Sequence, residues 1–239
     1  MNARRLAILL ATPAIAVALS ACVSLLPKTK PDQLYSMAPV AAAPAAPAAH
    51  DSDSVGVLLV NVDFPRAATG DGILTMTGSQ SAYIGEARWV GPASVLYREA
   101  VEQAFDGAQR TRLMDRGEIG RTALLLRLEV RDFEALYPDG PGSIPVVAVS
   151  MDARLTTPAG QPVAETRFDV RKRAGDNRVG PIVEAFNQAV AEATKGLVTW
   201  TDQAAATAPA VGGRASASAP PVVTTRSTSS TTTTTTPAR

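Results

Sequence analysis

The chain has 239 residues, 46% of them hydrophobic but only 5% aromatic, which leaves room for one domain of ordinary size plus unstructured flanks. Alanine clusters at both ends and inflates the apolar fraction, so the real core must lie in the middle. The formal net charge is +1 overall, yet residues 51–202 carry 16 Lys+Arg against 21 Asp+Glu, a net −5, and that balance excludes the basic footprint of a nucleic-acid binder.

The N-terminus holds Arg4 and Arg5 and no acid, then an apolar run of 14 residues from Leu6 to Leu19, then Ser20-Ala21-Cys22. A basic start, a short apolar stretch and a small-residue cleavage site make a secretory signal peptide over 1–21. The run is shorter than the roughly 20 residues a membrane-spanning helix needs. Leu19-Ser20-Ala21-Cys22 resembles the lipobox of bacterial lipoproteins, which implies cleavage before Cys22 and acylation of its thiol. Cys22 is the only cysteine, so neither an internal disulfide nor a thiolate metal site is available. Val23-Ser24 follows where aspartate favours inner-membrane retention in enteric bacteria, and by that analogy the expected address is the periplasmic face of the outer membrane. Residues 38–50, APVAAAPAAPAAH, form a Pro/Ala linker. In polyproline II they would span roughly 40 Å and hold a domain clear of the headgroups. Residues 22–54 thus constitute a lipidated N-terminus with its linker.

The folded domain is expected over 55–202. Val55 to Val62 is apolar on both faces, as in a strand buried on each side. Ile73–Thr77 and Ala82–Trp89 make a hairpin around Gly78-Ser79-Gln80. Gly91-Pro92 opens a helix that ends near Gly107, with Tyr97, Ala100, Val101, Ala104, Phe105 and Ala108 on one face. Three strands follow at 123–131, 146–157 and 163–172. Their strict alternation, as in Leu124, Leu126, Leu128 and Val130 against Arg127, Glu129 and Arg131, implies a sheet with one wet face. A last helix runs from about Pro181 to Thr201 with Ile182, Phe186, Ala189, Val190, Ala193, Leu197 and Trp200 in one stripe. The order β-β-β-α-β-β-β-α gives an α+β fold: a mixed or antiparallel sheet of about six strands with two amphipathic helices on one face. Residues 203–239 are mostly Ser, Thr, Pro and Ala, with six threonines in succession at 231–236, and, lacking the bulky residues a core requires, are expected to form a disordered tail.

Several local sequences then carry a resemblance. They are Gln33-Leu34-Tyr35-Ser36-Met37, Val62-Asp63-Phe64-Pro65, Ala82-Tyr83-Ile84-Gly85-Glu86-Ala87-Arg88-Trp89, Arg131-Asp132-Phe133-Glu134, and Ala185-Phe186-Asn187-Gln188-Ala189. In this order, over about 33–201, they resemble the auxiliary lipoproteins of ABC-type transport systems, including the lipoprotein of the paraquat-inducible system. The resemblance implies transport of lipid or another hydrophobic compound alongside an MCE-domain protein and an ABC permease and ATPase. It carries over one site residue, the lipidated Cys22, and no catalytic, cofactor-binding or metal-binding residues. Phospholipid as the cargo and self-association of the chain stay open.

Residue counts weigh against an enzyme. The one histidine, His50, lies in the linker, so no histidine-based nucleophile system or histidine metal site fits inside the domain. Phosphate-cradling motifs are missing, and Gly140-Pro141-Gly142 reads as a turn. Asp132 and Glu134, either side of Phe133, could support carboxylate chemistry or form the solvated end of a strand. Tyr83 and Trp89 suit lipid contact by their polar handles, although Trp89, just before a helix, suits a core equally. Arg171-Lys172-Arg173 fits anionic headgroups, an acidic partner or a charged strand edge that discourages aggregation. The competing function is a structural or assembly lipoprotein of the envelope.

Overall fold

A computed structural model describes residues 30–37, 54–115 and 122–208. The signal peptide, Cys22, the Pro/Ala segment with His50, and the Thr-rich tail lie outside the described residues.

The observed order opens with β1 (Gln33–Tyr35), β2 (Val55–Asp63), a short 3-10 turn (Arg66–Ala68), β3 (Gly72–Thr77) and β4 (Gln80–Trp89). Helix α1 (Ala93–Phe105) precedes β5 (Thr111–Leu113), β6 (Thr122–Leu136), β7 (Val146–Thr156) and β8 (Pro162–Arg173), and helix α2 (Val179–Thr207) closes the domain. All eight strands join one mixed sheet, larger than the six expected. The two additions, β1 and β5, are three residues each, too short to show a period.

The long strand β6 is the spine. One of its edges pairs antiparallel with β7, which pairs with β8. Its other edge takes two strands in succession: β2, parallel, as far as the pair Asp63–Glu129, and then β3, parallel, from Thr75–Ala135. Beyond β2 lies β5, and beyond β3 lie β4 and β1. β3 and β4 turn through Gly78-Ser79, where Gly78 has φ +59°, as the first position of a two-residue hairpin turn requires. Both helices cover the same face, α2 across β7 and β8 and α1 alongside α2.

β6 runs past the expected end at Arg131 because of a bulge. Leu124, Leu126, Leu128 and Val130 are buried, and after the irregularity between Val130 and Asp132 the buried positions become Phe133 and Ala135. The extra residue, Arg131, reverses the phase so that the strand keeps its apolar side on the core. β7 needs no such correction: Val147, Val149, Met151, Ala153 and Leu155 hold one phase throughout and are all buried, with Ala148 and Ser150 covered on the opposite face as well. β2 is less enclosed than expected: Val57 and Leu59 are buried, but an irregularity between Leu59 and Asn61 reverses the phase, so that Val62 packs against the core while Asn61 and Asp63 are exposed.

Phe133 occupies the point where β6 changes partner. Its ring meets Phe64 at 5.4 Å, Trp89 at 6.2 Å, Tyr97 at 6.0 Å and Phe186 at 5.0 Å between centroids. Phe64 also meets Tyr97, and Trp89 meets Phe186, both edge-on. Four elements and the residue that follows β2 therefore share one aromatic nucleus. Tyr97 is fully buried, its hydroxyl donates to the Met151 sulfur at 3.0 Å, and burial pushes the phenol well above its usual range.

α2 continues beyond Thr201 for two reasons. Ala204 and Ala205 remain buried. Asp202 accepts hydrogen bonds from the backbone N–H groups of Gln109, Arg110 and Thr111 and from the Thr111 hydroxyl, at 2.7–3.2 Å. This carboxylate ties the end of α2 to the entry of β5. Gly196 lets the same helix approach β8, since a Cβ there would meet the Phe168 ring at 3.1 Å.

Phe133→Ala should cost about 3–5 kcal/mol, the usual price of deleting a fully buried aromatic, read as a lowered urea midpoint. A chain ending at Thr201 should melt several degrees below one ending at Ala208, because only the longer keeps Asp202 and the two buried alanines. Equal melting temperatures would show that Asp202 is not a clamp.

Candidate functional site

The five family-like segments, scattered along the sequence, converge in space. β1 lies parallel to the end of β4, with Gln33 opposite Ala87, Leu34 opposite Arg88 and Tyr35 opposite Trp89. Met37 is buried in the core, and Phe64, Trp89, Phe133 and Phe186, one from each of the other four segments, form the nucleus described above. What these segments contribute is packing. Trp89, 2% exposed, belongs to the core, whereas Tyr83 is 57% exposed.

β1 is held by charges as well as by its ladder. Arg88 bridges Asp32 at 2.5 Å and Asp71 at 3.1 Å, and Lys30 approaches Glu86 at 3.9 Å. The Asp32 hydrogen bond is the chief reason the Arg88 guanidinium is held above its ordinary range. Within β4 the residues before Arg88 bulge outward: Ile73 alone faces Ile84 to Ala87, and Glu86 has φ +56°, a conformation uncommon outside glycine. Tyr83 folds over Gly72, where a Cβ would lie 2.6 Å from its ring, and donates its hydroxyl to the Ala67 carbonyl at 2.8 Å.

This arrangement corrects the role expected of the Pro/Ala segment. Because β1 precedes residues 38–50 and is already part of the sheet, that segment joins two strands of one body. It is not the tether. Only the residues between Cys22 and Lys30 separate the expected lipid site from the fold.

The sheet face away from the helices is a lattice of charge. Register sets Glu129 beside Asp152 and Arg127 beside Arg154, like charges that repel when directly opposite. The bulge residue Arg131 relieves the first clash by reaching both Glu129 at 3.1 Å and Asp152 at 2.9 Å. Arg167 clasps Asp152 from the other side at 2.6 Å, and Arg154 pairs with Glu165 at 2.8 Å. Led by the Arg167 hydrogen bond, these partners bring the Asp152 carboxyl down to about 2. Asp132 accepts a short hydrogen bond from the Ser150 hydroxyl, and burial, aided by the Asp132 charge, pushes the neighbouring Glu134 carboxyl up. Asp132 and Glu134 therefore stand within a strand and not at its solvated end, since β6 continues to Leu136. Arg171 pairs with Asp169 and Lys172 with Glu192 of α2, so the basic triplet is divided between two faces of the edge strand β8.

Among the described residues no group of three or more His, Cys, Asp or Glu could hold a metal ion. Nor is any helix among them long and apolar enough to cross a membrane. Asp32, Asp202 and the bulge at Arg131 were not singled out from sequence. Only Asp32, adjoining the Gln33–Met37 segment, carried a local signal.

The domain is thus a mixed-sheet α+β body whose distinctive segments build an aromatic core and dock an N-terminal strand. The chain belongs to the ABC-type transport auxiliary lipoprotein component family, whose model matches residues 35–198. Similar solved structures include a Xanthomonas campestris protein from a domain-of-unknown-function family, 22% identical, covering 73% of this chain and 97% of that one at a TM-score of 0.60. An uncharacterized protein is 16% identical, covering 72% and 99% at a TM-score of 0.53. At these identities they share the fold. None of the curated proteins matches the chain in sequence.

Asp152→Asn should test the lattice. A carboxyl held below its unfolded value of about 3.9 adds stability that is fully present above that pH and is lost as pH falls through about 2. The variant should be less stable than wild type near neutrality by on the order of 1 kcal/mol, as for a surface network. That gap should close as pH drops from about 4 to about 2. A gap independent of pH would mean Asp152 acts through packing instead of charge.

Proposed function

We propose that this protein is a lipoprotein of the outer membrane, anchored through Cys22, and a non-catalytic auxiliary component of an ABC/MCE-type system moving lipid or another hydrophobic compound. The observation that carries the reading is the family match over nearly all of the folded body, joined to the lipobox-like Leu19-Ser20-Ala21-Cys22. Further support comes from the use the fold makes of its family-like segments: they are committed to the core and to docking β1, which suits a rigid body that binds a partner.

The mechanism is positional. Lipid on Cys22 fixes the chain at the membrane, and a folded body held there meets its partner at high effective concentration, so that a modest docking affinity suffices. The partner in this reading is the MCE-domain protein, with the permease and ATPase supplying energy at the inner membrane.

Two measurements check it. Cys22→Ser should accumulate as full-length precursor without radiolabelled palmitate, because a hydroxyl is a poorer nucleophile than a thiolate; normal palmitate incorporation would overturn the lipid site. Gentle crosslinking in envelopes followed by purification should recover an MCE-domain protein. Its absence, with a normal permeability barrier in a strain lacking this chain, would favour an envelope-assembly role.

A further inference from the structure

Among the described residues, the exposed large apolar side chains gather at one corner. Leu34 is 65% exposed, Tyr83 57%, Val90 56% and Val95 46%. They belong to β1, to β4 and its immediate continuation, and to the first turn of α1. Scattered exposed apolar residues are ordinary; a group confined to one corner marks a contact surface. The geometry sets them close together. Leu34 shares its side of the sheet with its register partner Arg88, whose other neighbour in register is Gly72, the residue over which Tyr83 lies. The Val90 N–H donates to the Tyr35 carbonyl at 2.8 Å, and the Ala93 and Ser94 N–H groups donate to Gly70 and Thr69, which seats the start of α1 beside this edge.

We infer that this corner, built on Leu34, Tyr83 and Val90, is a phospholipid-facing surface that seats the domain against the bilayer holding its anchor. The inference rests on acylation of Cys22. Lys30 is eight residues along the chain from Cys22, so it can lie at most about 28 Å from the anchored residue. That distance keeps the β1 corner within reach of the headgroups. The corner's charges are mutually paired, Arg88 with Asp32 and Asp71 and Lys30 with Glu86, which leaves a single net negative charge beside the apolar side chains. Tyr83 presents an exposed apolar ring whose hydroxyl is already satisfied by the Ala67 carbonyl, so covering that ring leaves no polar group unpaired. Anchoring also makes the contact intramolecular in effect, so a few side chains suffice.

The test uses the full mature lipoprotein in vesicles of phosphatidylethanolamine and phosphatidylglycerol that carry a lipid-borne nitroxide. A thioether-blocked Cys22 leaves a second cysteine free for a fluorescent label, placed by Leu34→Cys, by Val90→Cys, or by Glu165→Cys on distant β8. Labels at 34 and 90 should be quenched several-fold more than the label at 165. Equal quenching at all three overturns the inference, as does a label at 34 that escapes quenching while the unlabelled Leu34→Cys chain forms an oxidant-driven disulfide with a second copy. Intact mass, taken before reconstitution, separates the two layers. An acylated chain without selective quenching removes the surface alone, whereas an unacylated chain removes the Cys22 reading together with the surface.

Discussion

The fold depends on how one edge of β6 serves two strands. β2 leaves that edge at Glu129 and β3 takes it up at Ala135, so a stretch in between has no strand beside it. Phe133 stands in the gap and brings four other rings to it. Through that contact the two groups of outer strands share packing at the place where β6 gives neither of them a ladder. The bulge at Arg131 makes the contact available, because it turns Phe133 inward at the moment the pairing partner changes. Aromatic burial and backbone irregularity are here one device.

The same inserted residue governs the wet face. Register places carboxylate beside carboxylate and guanidinium beside guanidinium, and Arg131, displaced from the regular ladder, is free to lean toward both Glu129 and Asp152. Each pair is worth little alone at an exposed surface. Their joint effect is to let a strongly charged sheet stay paired in the register that the apolar face demands.

Much of this was legible in the sequence, and the failures have physical causes. The alternation of Leu124 to Val130 and of Val147 to Leu155 announced strands, and the spacing of Tyr97, Val101 and Phe105 announced α1. Period-two reading stopped at Arg131 because a bulge erases the phase that such reading follows. β1 and β5 escaped notice because three residues carry no period and their parallel partners are remote. α2 was cut short at Thr201 because the alanines beyond it resemble the low-complexity tail, and only the fold shows Asp202 capturing three backbone N–H groups. The segments that carried the resemblance were correctly singled out, but their meeting around Phe133 is a three-dimensional fact that no local window contains. Tyr83 and Trp89, alike by composition, were separated only by the fold.

The place of β1 also has a mechanical consequence. Tension on the chain ahead of Lys30 enters the body through a three-residue parallel ladder along Ala87–Trp89 and through the Arg88 bridges, loaded in shear. Met37 and Tyr35 are the last residues to resist before the load reaches the long connection to Val55. β1 is thus a fuse: it can peel from β4 under a pull before the load reaches β2.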